Sequence, residues 1–150
     1  MNVYYCIYER ETGNIVGHGC TDPEAVEIHK EHLRPEWALK ELTMEEYQRV
    51  SVCSDIFNRL FYVDGDGTVK RKQEVSISAD KHSFRADGVD VVTVTTDAPE
   101  PVEWWISGGK IEGKHSQLEL VSRLAKSFTI FVDDPRYHSA PIEIVARREV

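Results

Sequence analysis

The sequence predicts an α+β fold in two parts, a small α/β module over residues 1–72 and an all-β sandwich over residues 73–150. Three observations predict it. Before Lys72 strand and helix signals alternate along the chain, whereas after Gln73 most segments alternate apolar and polar residues with the period of two that a half-buried strand requires. The two halves carry the same charge, 9 basic and 13 acidic residues each, so the boundary is a change of pattern and not of charge. Finally, 150 residues suffice for two small cores that need no disulfides.

The first half opens with Val3 to Glu9, rich in Tyr and Ile, then Glu11-Thr12-Gly13-Asn14, then Ile15 to Gly19, two β-prone runs around a glycine turn that read as a hairpin. Thr21 or Asp22 can cap a helix with Pro23 at its first position, Glu24 in its first turn and Ala25, Val26, His29 and Leu33 on one face; Arg34-Pro35 ends it. A short strand spans Trp37 to Leu42. Thr43-Met44-Glu45-Glu46 is a capping box opening a second helix that bears Tyr47 and Val50. Leu60 to Val63 and Thr68 onward flank Asp64-Gly65-Asp66-Gly67, the turn of another hairpin.

In the second half Val75, Ile77 and Ala79 alternate with Ser76, Ser78 and Asp80. Leu118 and Leu120, then Phe128, Ile130 and Val132, then Ile142, Ile144 and Ala146 repeat the pattern. With Val89 to Thr96 and Val102 to Ile106 this makes six or seven short strands, the size and rhythm of an immunoglobulin-like sandwich. Trp104 or Trp105 then falls in the third strand, where such folds bury a Trp against the opposite sheet. No inter-sheet cysteine pair is present, which points to a bacterial or viral type of sandwich.

Composition excludes several classes of function. With 18 Lys and Arg against 26 Asp and Glu, the net charge of −8 argues against nucleic acid as a partner and against an anionic membrane surface. No apolar run is long enough to span a bilayer, and the N-terminus carries charge where the apolar part of a secretory leader belongs, so neither membrane insertion nor secretion is expected. Cys6, Cys20 and Cys53 are odd in number and lack CxxC spacing. They read as reduced thiols of a protein made in a cytoplasm, although Cys6 and Cys20 could approach across the first hairpin.

Gly108-Gly109-Lys110-Ile111-Glu112-Gly113-Lys114 matches the glycine and lysine spacing of a phosphate-binding loop, with a candidate strand before it and Ser116 to Lys126 as a candidate helix after it. It fails where Ser or Thr should ligate magnesium, because His115 stands there, and Leu118 and Leu120 fit a strand at least as well. Asp64 to Gly67 hints at calcium, but Val75 stands where an EF-hand loop counted from Asp64 needs Glu. His29 and His32 have metal-sharing spacing without a third ligand, and Asp133-Asp134 beside Pro135 reads as a turn. The sequence therefore predicts no catalytic residues, no cofactor and no metal: not an enzyme. Of the adjacent pair Trp104-Trp105 only one ring can enter a core, and Phe131 and Val145 run out of phase with the core residues of their strands. Trp104, Trp105, Phe131 and Tyr137 are the candidate contact surface.

These residues carry a resemblance. Val75 to Lys81, followed by Arg85-Ala86-Asp87-Gly88-Val89-Asp90 and the strand to Thr96, resembles the opening of the bacterial immunoglobulin-like domains of adhesins and tailed-phage virion proteins. Phe128 to Tyr137 with Pro141 to Ala146 is similar to the last two strands of such domains in small phage tail-associated proteins, and Tyr4-Tyr5 with Glu11-Thr12-Gly13 is similar to the start of those proteins. The middle departs from the pattern at Trp104-Trp105 and Gly108 to Gly113, so no family site carries over. The resemblance implies a structural component of a bacteriophage particle, associated with tail, baseplate or fibre and made in the host cytoplasm. Residues 1–72 would then be a docking module, the partners would be other virion proteins and further copies of the chain, and host attachment through a surface glycan is the alternative.

Overall fold

The computed structural model describes residues 1–51 and 60–148. The chain divides into two compact units, Met1–Lys72 and Gln73–Val150. The expected side chain of Val50 and the thiol of Cys53 lie outside the described residues.

In the first unit β1 (Val3–Glu9) is the centre of a three-stranded antiparallel sheet, between β2 (Ile15–Thr21) and β3 (Trp37–Leu42). The β1–β2 turn closes on Gly13, whose φ of +79° is left-handed. Its N–H donates to the Glu9 carbonyl (2.8 Å) and its carbonyl accepts from Val63 N–H (2.9 Å), so the backbones run too close for any Cβ there. Helix α1 (Pro23–Glu31) starts as the sequence dictates: the Asp22 carboxylate accepts the Ala25 N–H (2.9 Å) and Pro23 takes the first position. It buries Val26. Helix α2 (Met44–Ser51) begins with a reciprocal capping box, Glu46 N–H to Thr43 Oγ1 at 3.1 Å and Thr43 N–H to Glu46 Oε1 at 3.0 Å. The hairpin of β4 (Phe61–Val63) and β5 (Val69–Arg71) supplies Phe61, Val63 and Val69 to a core with Cys6, Ile15 and Leu42, against which Tyr4, Tyr8 and Tyr47 pack. Burial pushes the Cys6 thiol up to about 12.

The second unit contains only strands among the described residues. A five-stranded sheet runs in the order β11 (Gly109–Lys110), β10 (Trp104–Ile106), β13 (Lys126–Val132), β15 (Ile142–Arg147), β8 (Ser83–Arg85), and a three-stranded sheet in the order β12 (Gln117–Leu120), β9 (Val92–Thr96), β7 (Ile77–Ala79). All pairs are antiparallel except β15 with β8. A short parallel pair joins β6 (Gln73–Glu74) to β14 (Tyr137–His138). The inward residues of both sheets form one core: Val92, Val94 and Leu118 from the smaller sheet, Trp104, Phe128, Ile130, Val132, Ile144, Ala146 and Phe84 from the larger. Burying such side chains contributes about 1.5–3 kcal/mol each before chain entropy is counted.

The fold is thus α+β, mostly strand. Two local expectations change. The strand expected from Val89 starts at Val92, because the Asp87 carboxylate takes the Val89 and Asp90 N–H groups (2.9 Å each) into a turn with Gly88 at φ +77°. The strand expected over Val75 to Asp80 shortens to β7, Ile77–Ala79. Strands β8, β11 and β14, of two or three residues each, were too short to show periodicity.

Candidate interaction surface

Strand β10 delivers the two tryptophans to opposite faces of the five-stranded sheet. Trp104 points inward and is 0% exposed, its indole N–H donating to the His115 carbonyl at 2.8 Å. Tyr137, in β14, is 9% exposed and belongs to the same core. Trp104 has no surface left for a partner and Tyr137 has little, so the candidate contact surface loses both. Pleating explains the first, and the fold-back of β14 onto β6 explains the second.

Trp105 and Phe131 remain. They are cross-strand partners on the outer face, both half-buried, with rings parallel to within 3° and centroids 6.3 Å apart, an offset arrangement that aromatic quadrupoles favour. On the other side Trp105 pairs with Lys110 of β11, whose Nζ lies 3.1 Å from Glu103 Oε1. Val145, half-buried, shares this face through its pairing with Ser127. The result is a flat aromatic centre with an ion pair on its rim, fixed on a central strand pair. Such a surface offers a flat apolar centre with charge at its rim to a binding partner. The sequence reading set Lys110 in the phosphate-loop match and passed over Glu103, because only cross-strand register brings them to the aromatic pair.

The glycine segment that imitates a phosphate loop is a hairpin turn. Ile106 pairs with Gly109, leaving Ser107 (φ 46°) and Gly108 (φ 83°) as a two-residue loop with both residues left-handed, the type I′ geometry that suits antiparallel strands. Beyond it the chain enters strand β12 and not the helix that a phosphate loop leads into. His115 pairs in a bridge with Val102, and its ring Nε2 lies 2.8 Å from the Glu112 carbonyl.

The remaining motifs have structural duties. Lys70 sits in ion pairs with both Asp64 and Asp66, the cation of this turn coming from the chain itself. The Lys70 side chain and the Gly65 N–H hold Asp64 below the usual carboxylate range, and the Thr68 hydroxyl and N–H do the same for Asp66. His29 packs against Tyr5 with centroids 5.6 Å apart and rings tilted by 37°, while His32 turns its Nδ1 to the Ile28 carbonyl (2.8 Å) at the helix end, so the two do not converge. Asp134 is 2% exposed and accepts the N–H groups of Glu103 (2.9 Å) and Arg136 (3.0 Å), which ties β10 to the turn after β13. Cys6 and Cys20 are free thiols. Cys6 faces His18 and Cys20 faces Tyr4, a register that leaves the two sulfurs unbonded. Among the described residues no group of three His, Cys, Asp or Glu side chains could hold a metal, and no helix is long and apolar enough to cross a membrane.

The Ala86 to Asp90 segment also proves structural in its placement. Besides the Asp87 turn, Asp90 accepts the Arg85 N–H (2.8 Å) and the Lys81 ammonium (2.6 Å), and Gly88 N–H donates to the Ser122 carbonyl (2.9 Å). These bonds hold the Asp87 and Asp90 carboxyls below their ordinary range, Asp87 chiefly through the Asp90 N–H and Asp90 chiefly through the Arg85 N–H. No protein-family model matches the sequence, and no curated protein is significantly similar to it.

Proposed function

We propose that the second unit is an immunoglobulin-like sandwich and that the protein works by binding, as a structural component of a tailed-phage particle. The strand order is the observation that carries the first part. Taken in chain order, β7, β9 and β12 lie as the A, B and E strands of such a sandwich, and β10, β13 and β15 lie as C, F and G, with Trp104 in the strand C position where these folds bury a Trp. Strand β8, parallel to β15, is the continuation of the first strand after it crosses to the other sheet. The assignment to a particle rests on the resemblance of residues 75–96 and 128–146 to sandwich domains of tail-associated proteins. In that setting many weak contacts become effective because a symmetric tail presents them together.

The contact made by the sandwich is assigned to Trp105 and Phe131, the rigid aromatic type of residue that dominates protein interfaces. Mass spectrometry of tailed particles purified from the culture that encodes the protein tests this. Its peptides are expected at a fixed ratio to the major tail protein through successive purification steps. A chain that stays in the soluble fraction refutes the reading.

One observation favours host attachment through a glycan as a second reading: Trp105 stands beside polar groups, Lys110 and Glu103, that could hydrogen-bond sugar hydroxyls. Titration with host surface polysaccharide separates the two, since saturable binding lost in Trp105→Ala supports attachment and no binding supports assembly.

A further inference from the structure

We infer that two copies of this chain pair edge to edge through β12, in a two-fold antiparallel register centred on Leu118. Strand β12 is an outer strand of the three-stranded sheet: β9 pairs with one side, and no strand among the described residues pairs with the other. In an antiparallel ladder alternate residues aim their N–H and C=O groups away from the neighbour, so this edge offers a row of donors and acceptors that only another extended chain can satisfy together.

The other outer strands of the unit's two larger sheets are shorter. Strand β11 has two residues, one of them Lys110 in its ion pair with Glu103. Strand β8 has three and ends at Arg85, whose N–H is taken by the Asp90 carboxylate. Strand β7 has three, one fewer than β12. Strand β12 is longer, pairs with β9 without a bulge, contains no Lys or Pro, and carries one charge, Glu119. Its edge also runs into exposed apolar surface. Val121 is 54% and Leu124 69% exposed, and the Gly88–Ser122 hydrogen bond holds that loop beside Val89, 77% exposed.

The occupant is set by self-complementarity. Leu118 is buried and Gln117 and Glu119 are exposed, so a two-fold pairing must be centred on a residue to keep the apolar faces on one side. Centring on Glu119 sets two carboxylates directly opposite, which is unfavourable. Centring on Leu118 sets Gln117 opposite Glu119 of the other copy, twice by symmetry, an amide donor against a carboxylate acceptor. This names how two copies would meet; it rests on no feature of the particle and deepens the assembly reading without depending on it.

The test is light scattering of the full chain across a micromolar concentration series, with Gln117→Glu and Gln117→Lys, both at an exposed position that leaves the core intact. The wild type is expected to pass from 17.2 kDa to twice that mass. Gln117→Glu should weaken the dimer and Gln117→Lys tighten it, each by roughly fivefold, because both symmetry-related pairs gain a like or an opposite charge together. A wild-type chain that stays monomeric overturns the inference, and so does a dimer indifferent to both substitutions, which would place the interface elsewhere. A monomer that nevertheless copurifies with particles removes the β12 pairing and leaves the assembly reading standing.

Discussion

Replacing Trp104 and Trp105 one at a time should produce very unequal losses of stability, although the residues are neighbours. Trp104 is 0% exposed and its indole N–H bonds the His115 carbonyl, which also accepts the Val102 N–H at 3.1 Å. In Trp104→Phe that carbonyl keeps one partner, so the loss is a net hydrogen bond of about 1 kcal/mol. The two ring carbons that Phe lacks add about 0.8 kcal/mol each. The expected destabilisation is therefore about 2–3 kcal/mol, rising to about 3–5 kcal/mol for Trp104→Ala. A unit of this size is stable by only about 4–12 kcal/mol, so the Ala variant should lose a large share of its stability. Trp105→Ala removes a half-buried ring from an outer face and should cost about 1 kcal/mol, the worth of its pairing with Phe131. Urea unfolding followed by far-ultraviolet circular dichroism reads both without relying on tryptophan emission. Equal losses for the two alanine variants, or a larger loss for Trp105, would refute the inward–outward assignment and with it the aromatic contact surface.

Gly13→Ala should destabilise the first unit by more than the roughly 1–2 kcal/mol of left-handed strain alone, because the new Cβ meets the Val63 backbone; thermal unfolding checks it. Alkylation with iodoacetamide at neutral pH should modify Cys20 and spare Cys6 until denaturant is added, since Cys6 is buried with its thiol pushed up to about 12; modification sites are read by peptide mass spectrometry. Asp87 and Asp90 titrate below their ordinary range when folded, so the unfolded chain binds more protons between the folded and ordinary values. Their contribution is therefore present above about pH 4 and lost as pH falls through the folded values, and Asp87→Asn, which keeps the acceptor oxygen, should flatten that part of the acid unfolding curve.

Local chemistry was legible where one residue type has one use. Pro23 after Asp22, the Thr43–Glu46 box and the strand Trp37–Leu42 appear where the sequence places them. The change of texture at Lys72 and Gln73 coincides with the division into two units. What the sequence could not supply was register. Alternation says that one of two adjacent tryptophans is inward, and only the pairing of β10 with β13 says which. Tyr137, after an Asp-Asp-Pro turn, has the look of an exposed loop aromatic because the parallel pairing of β14 with β6 joins segments some 60 residues apart. The phosphate-loop imitation has a physical cause as well, since a type I′ turn and an anion-binding loop both need residues that accept positive φ.

The proposal that the chain is an assembly component bound through its outer aromatic pair is tested most directly by complementation of its deletion with Trp105→Ser/Phe131→Ser. Both substitutions lie outside the core cluster, so the variant should fold, with a circular-dichroism spectrum like that of the wild type. The account expects the wild-type chain in the purified particles and the variant in the soluble fraction, with particle yield reduced. A folded variant recovered in particles at the wild-type ratio would contradict it.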